Sequence, residues 1–192
     1  MDDATVRTRG WSRAEYDRLI ELGILDEDEK IELLGGYLVV REPQGTWHAS
    51  AARLVSAALR RAFGDGWEID RQLPLALGED SEPEPDVAVV RGRPRDFSDA
   101  HPTHAVLIVE IADSSLPTDR IHKGSLYARE RVFDYWILNR ADDRLEVYRD
   151  PTPDAAAPFG WRYASALALG RGETVSPLAA PNARIPISDL LP

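Results

Sequence analysis

The stretch AVLIVEIA, residues 105–112, sets one carboxylate inside an otherwise apolar run. Side chains alternate along a strand, so Leu107, Val109 and Ile111 share one face and Val106, Ile108 and Ala112 the other. Both faces are apolar, the pattern of a central strand covered on both sides. Glu110 interrupts it, and an ionised carboxylate there costs several kcal/mol unless something compensates it. The compensation is a structural ion pair, a strand end that reaches water, or a functional site.

Upstream, GEDSEPEP (78–85) opens into DVAVV (86–90), which reads as a second strand with Asp86 at its entrance. An Asp after a proline is an ordinary turn residue. Carboxylates from two neighbouring strands can also converge on one hard divalent cation. Downstream, DSSLPTDRIHKGSLYARER (113–131) reads as a loop and then a helix starting near Thr118 or Asp119, either an acceptable N-cap, with Lys123 and Tyr127 on one face. Lys123 by itself is an ordinary exposed lysine. Brought back over the Glu110 strand, its ammonium could hold a water and offset charge on a phosphate. FDYWILN (133–139) and RLEVYRD (144–150) alternate around RADD as a hairpin.

Nearer the start, Ser12 and Glu15 have capping-box spacing and Tyr16, Leu19 and Ile20 form a stripe ending at Gly23, which predicts a helix over 12–22. The acidic turn LDEDEK (25–30) leads into IELLGGYLVVRE (31–42), where Gly35 and Gly36 turn a hairpin whose first strand carries Glu32. HASAARLVSAALRRAF (48–63) spaces Ala52, Val55, Leu59 and Phe63 three and four apart, as a helix does. His48 at its start reads as a surface residue. GDGWEIDRQLPLAL (64–77) reads as a half-exposed strand, with Pro74 marking an edge or a bulge. From Pro151 the chain is rich in Ala, Pro and Gly, with weak strand signals at GWRYAS and ETVSP. The expected organisation is a single domain over 1–192: an N-terminal helix and hairpin (1–45), a catalytic core (46–150) and a peripheral C-terminal extension (151–192). The mixed order of strands and helices gives an α/β class.

Bulk properties narrow the function. A chain of 192 residues with 43% hydrophobic and 29% charged residues can bury its own core. Its apolar runs are too short for a membrane span, the start MDDATVRTRGW lacks the features of a secretory signal, and there is no cysteine, so the expected location is the cytoplasm. With 23 basic against 33 acidic residues, the net charge of −10 repels a phosphate backbone unless arginines such as Arg53, Arg60 and Arg61 gather on one face. HPTH (101–104) lacks cysteine partners or an HExxH frame for zinc, and the serines at 114 and 115 lack a GxSxG elbow. Phosphate loops, repeats and heptads are missing too.

EPEPDVAVV, VLIVEIADSS, DRIHKGSLYAR and VFDYWILN, taken in order, resemble the Uma-type family of restriction endonucleases, a branch of the PD-(D/E)XK nuclease superfamily. The resemblance runs from WSRAEYDRL to VYRDP. It implies a restriction-endonuclease-like core, a mixed central β-sheet flanked by α-helices, and Mg2+- or Mn2+-dependent hydrolysis of phosphodiester bonds in DNA. Asp86 matches the Asp of the PD motif and Glu110 the second acidic position. Lys123 matches the lysine that this branch carries on the following helix, in place of the superfamily lysine two residues after Glu110, where Ala112 stands. Glu32 matches a supplementary acidic residue. The implied cation ligands are Asp86, Glu110 and the carbonyl of Ile111, with His48, Gln72 and Tyr127 as accessory candidates. Two-strand cleavage favours a homodimer. Two other readings stand beside this one: a catalytically silent nuclease-like module that binds nucleic acid or protein, and a metal-dependent hydrolase of a small phosphodiester.

Overall fold

The computed structural model describes residues 8–25, 29–41 and 43–192; residues 26–28 of the expected acidic turn and 1–7 of the N-terminal run lie outside the described residues. A six-stranded mixed sheet in the order β3 (Trp67–Asp70), β4 (Val87–Arg91), β5 (Leu107–Ala112), β6 (Asp134–Asn139), β7 (Arg144–Pro153), β8 (Trp161–Gly170) forms its centre. Only β5 and β6 run parallel; every other neighbour pair is antiparallel. The parallel pair requires a crossover, supplied by α3 (Leu116–Thr118), a π-helical turn (Asp119–Lys123) and α4 (Gly124–Arg129).

Within Leu107–Ala112 the two faces of β5 separate as the alternation predicts, whereas Val106, just before the strand, packs on the α2 side instead of with Ile108 and Ala112. Leu107, Val109 and Ile111 pack with Val55 and Leu59 of α2 (Thr46–Phe63), while Ile108 and Ala112 pack with Tyr127, Tyr135 and Ile137 on the opposite face. Helices therefore flank the sheet on both sides, in agreement with the α/β core expected from sequence. All six residues of β5 are buried, Glu110 included.

Before the sheet come α1 (Arg13–Glu21) and a hairpin of β1 (Ile31–Leu34) and β2 (Tyr37–Val40). Ser12 and Glu15 make a reciprocal capping box, and Tyr16 buries its ring while its hydroxyl donates to Ile31 O at 2.7 Å. The hairpin is docked on the segment before β4: Gly36 N donates to Asp80 O and Glu82 N to Leu33 O, each at 2.7 Å. Its turn is tight for a packing reason as well. Gly35 sits at φ +57°, and a Cβ built there would lie 2.0 Å from the Phe159 ring.

Two expectations need correction. The strand read over 64–77 stops at Asp70, because Gln72 takes a left-handed conformation (φ 51°) and Pro74 cannot continue a ladder. Beyond it Leu75 and Leu77 turn into the second core while Leu73 stays exposed. β3 is nonetheless an edge strand, as the proline suggested. The chain after Pro151, read as a peripheral extension, adds the whole of β8 to the sheet, and Ile187, Leu190 and Leu191 pack into the α2 core. Its Ala-rich strand hides the signal because only alternate positions are partly covered.

Candidate active site

The ends of β4 and β5, the β1–β2 hairpin, the start of α2 and the π-helical turn meet at one cavity of about 540 Å³, lined among others by Glu32, Arg41, His48, Asp86, Glu110 and Lys123. Asp86 precedes β4, which pairs with β5 through Val87 and Val109, so the two carboxylates come from adjacent strands. They are tied by the backbone: Ile111 N donates to Asp86 Oδ2 at 2.8 Å, and Asp86 N donates to Glu110 Oε2 at 3.3 Å.

Lys123 reaches Glu110 from the crossover. Its Nζ lies 3.0 Å from Glu110 Oε1 and 3.4 Å from Glu32 Oε2, and the Tyr127 hydroxyl donates to the same Glu110 oxygen at 2.7 Å. Lys123 and Tyr127 stand four residues apart and act on one oxygen, as residues on one helix face do. The wider π-helical turn holds Lys123 at its end and buries Asp119 at its beginning. Such a turn changes the angular register of a helix locally, and no periodicity in the sequence announces it.

On the other side, His48 Nε2 lies 2.8 Å from Asp86 Oδ2. With Asp86 ionised, that nitrogen carries the proton of the contact. The histidine is therefore buried against the site rather than exposed at a helix start, while its Nδ1 has no hydrogen-bond partner among the described residues. Gln72 turns toward Asp86 Oδ1 at 3.5 Å and donates to Gln44 Oε1 at 2.5 Å. Glu32 accepts from Arg41 Nε at 3.0 Å and from Glu84 N at 3.3 Å through Oε1. Its Oε2 is buried and has no hydrogen-bond partner among the described residues, with Lys123 Nζ standing 3.4 Å away.

Three participants were not anticipated from sequence. Arg41, just after β2, faces Glu32, Glu84 and Asp86. Gln44 donates to Asp86 Oδ1 at 3.2 Å. Asp119, considered only as an N-cap, is 3% exposed, lines the cavity and accepts from the Ser115 hydroxyl at 2.6 Å. An arginine closing a hairpin and a glutamine in a loop have no pattern that marks them; only the docking of separate segments brings them here.

Burial sets the electrostatics. Burial raises Glu110 from 4.5 to about 8; Lys123 opposes the rise, and the carboxylates of Asp86, Asp119 and Glu32 add to it. For Asp86, burial acts upward, but His48, Lys123 and the Ile111 amide outweigh it and hold the carboxyl below its ordinary value. Burial acts against the Lys123 ammonium, but Glu110, Glu32, Asp119 and Asp86 more than offset it and keep the lysine charged. Burial also raises Asp119.

The donor set suits a hard divalent cation. Among the described residues no three His, Asp or Glu side chains converge as a closed cage. Magnesium, however, typically takes only one or two carboxylates and keeps water for its other positions. Asp86 and Glu110 supply two such carboxylates, and Glu32 Oε2, 3.4 Å from Lys123 Nζ, is a further buried acceptor at the same cavity.

Comparison with known proteins adds the family. A family model described as "Uma2: Putative restriction endonuclease" matches residues 13–188, and the chain belongs to this family. Among solved structures, "a putative nuclease belonging to DUF820 from Anabaena variabilis ATCC 29413" superposes with a TM-score of 0.66 at 16% identity, over 90% of this chain and 96% of that one. At that identity the likeness concerns the fold. No curated protein matches the chain.

Proposed function

We propose that the chain is a single-domain, metal-dependent endonuclease that hydrolyses phosphodiester bonds of DNA. The observation that carries this reading is that Lys123 comes within 3.0 Å of Glu110 although position 112 is alanine. Asp86 and Glu110, with the Ile111 carbonyl, would hold Mg2+ or Mn2+. Bound there, the cation lowers the pKa of water and offsets charge on the phosphate oxygens. Lys123 orients the attacking water and neutralises charge that develops on phosphorus oxygens. Tyr127 fixes the Glu110 carboxylate by its 2.7 Å hydrogen bond, and His48 with the Ile111 amide fixes Asp86. Glu32 supplements the acidic set and steadies Lys123 through its 3.4 Å contact. Gln72 serves as an accessory through Asp86 Oδ1. A homodimer would supply two such centres for two-strand cleavage, and the cytoplasm is the compartment that suits a cysteine-free chain.

A second reading, hydrolysis of a small phosphodiester, is favoured by the net charge of −10, which a long polyanion would meet as repulsion. Incubation with a mixed DNA panel and with bis(p-nitrophenyl) phosphate, in Mg2+ or Mn2+, separates the two. The expected result is cation-dependent DNA cleavage, reduced at least about 100-fold in Glu110→Ala and Lys123→Ala, the scale of removing a positioned catalytic group. Turnover of the small diester alone would favour the second reading. Metal binding that needs Glu110, with neither substrate cleaved, would leave the silent module.

A further inference from the structure

Asp86 is more heavily engaged than a carboxylate waiting for a cation needs to be. Ile111 N and His48 Nε2 occupy Oδ2, and Gln44, Gln72 and Arg41 converge on Oδ1, at 3.2, 3.5 and 3.5 Å. Oδ2 is taken up by its two donors at 2.8 Å, whereas no donor comes closer than 3.2 Å to Oδ1, which makes Oδ1 the oxygen open to exchange with an incoming ion. The donor facing Asp86 with a full charge is Arg41. Its other nitrogens make the closer contacts, 3.0 Å to Glu32 and 2.9 Å to Glu84, so the arm toward Asp86 is the loosest of the three.

We propose that Arg41 is a substrate-phosphate contact held in reserve: its guanidinium rests against Asp86 in the free chain and would leave it for the phosphodiester when Asp86 helps to hold a divalent cation. The proposal rests on the nuclease reading above and names what grips the substrate. Among the described residues Arg41 and Lys123 are the only Lys or Arg side chains lining the cavity. Lys123 is committed to Glu110 and Glu32. The planar fork of an arginine matches two phosphate oxygens, a recognition that a lysine cannot reproduce. With Asp86 holding a cation, the guanidinium arm would be repelled from that carboxylate and free to meet the substrate anion.

A purely structural counter-ion and a reserved phosphate contact both release negative charge to a cation when removed, but only the second takes oligonucleotide affinity with it. Mn2+ binding to the whole chain without substrate, followed by titration calorimetry, is compared with oligonucleotide binding by fluorescence anisotropy in Ca2+, for wild type, Arg41→Gln and Arg41→Lys. The expected result for Arg41→Gln is about tenfold tighter Mn2+ binding and about tenfold weaker oligonucleotide binding, each corresponding to one lost charged contact. Arg41→Lys, which keeps the charge, should hold Mn2+ as the wild type does and still lose oligonucleotide affinity; it decides the matter if the glutamine variant fails to fold. Weaker Mn2+ binding in Arg41→Gln, or unchanged oligonucleotide binding in both variants, overturns the proposal and leaves the nuclease reading intact. A wild type that binds Mn2+ but no oligonucleotide overturns both.

Discussion

Glu110 shows how a single residue can be read from its surroundings and still surprise. Its position in a strand apolar on both faces marked it from sequence, and the structure surrounds it with Lys123, Tyr127 and the Asp86 amide. Those partners do not fully repay its burial, since its carboxyl is raised to about 8. Between its ordinary 4.5 and about 8 the native chain therefore keeps a proton that the unfolded chain has released. Stability from this group is complete below the lower value and declines as pH rises through the upper one. Asp86 acts in the opposite sense, its contribution being lost as pH falls. Urea denaturation in chelator, at several pH values across that window, should show wild-type stability falling with pH relative to Glu110→Gln. Added Mg2+ should flatten the difference, because a cation favours the ionised form. Equal slopes in the two proteins would refute it. Arg41 was beyond sequence reading for the converse reason: it is an ordinary residue by type and place, and acquires its role from three carboxylates on other segments.

At the scale of elements, the strands were legible wherever both neighbours are covered. β4, β5 and β6 fall where their alternation places them, and α2 follows its three-and-four spacing. The failures lie where backbone conformation, rather than burial, decides. Gln72 at positive φ ends β3 early, and the π-helical turn between α3 and α4 gives the crossover a register that a regular helix lacks. The β1–β2 hairpin was visible through its paired glycines, yet its seat was not, because Phe159 meets it from the far end of the sequence. This contact makes Gly35→Ala informative. The new methyl would press on the ring and strain a backbone at φ +57°, at a cost of about 1–3 kcal/mol. Thermal denaturation should show that loss, with weaker Mn2+ binding because Glu32 rides on the same hairpin. Phe159→Ala in the same chain should restore part of it, leaving the φ penalty. If the double variant is no more stable than Gly35→Ala, the ring is not what the glycine makes room for.

For the molecule as a whole, the C-terminal stretch carries more than its composition suggests. Ile187, Leu190 and Leu191 are nearly inaccessible and lie in the core beneath α2. Removing one large aliphatic side chain from a core costs about 2–5 kcal/mol, against a total stability on the order of 5–15 kcal/mol. Truncation after Pro186 should therefore leave the chain largely unfolded by circular dichroism. A truncated chain with a native spectrum and an unshifted melting point would return that stretch to the periphery. The sequence hid it because short apolar pieces separated by Pro, Gly and Asn resemble a linker until the surface they complete is known.

The β1–β2 hairpin belongs to no strand ladder of the six-stranded sheet and is joined to the segment before β4 by a short row of bonds, Gly36 with Asp80, Gly35 with Ser81, Leu33 with Glu82 and Glu32 with Glu84. A unit fastened in this way can open as a local excursion while the sheet stays closed, and its amide protons would exchange on their own schedule. Each opening would carry Glu32 away from Lys123 and loosen Arg41, so the cleft would fall idle at temperatures where the fold itself still holds.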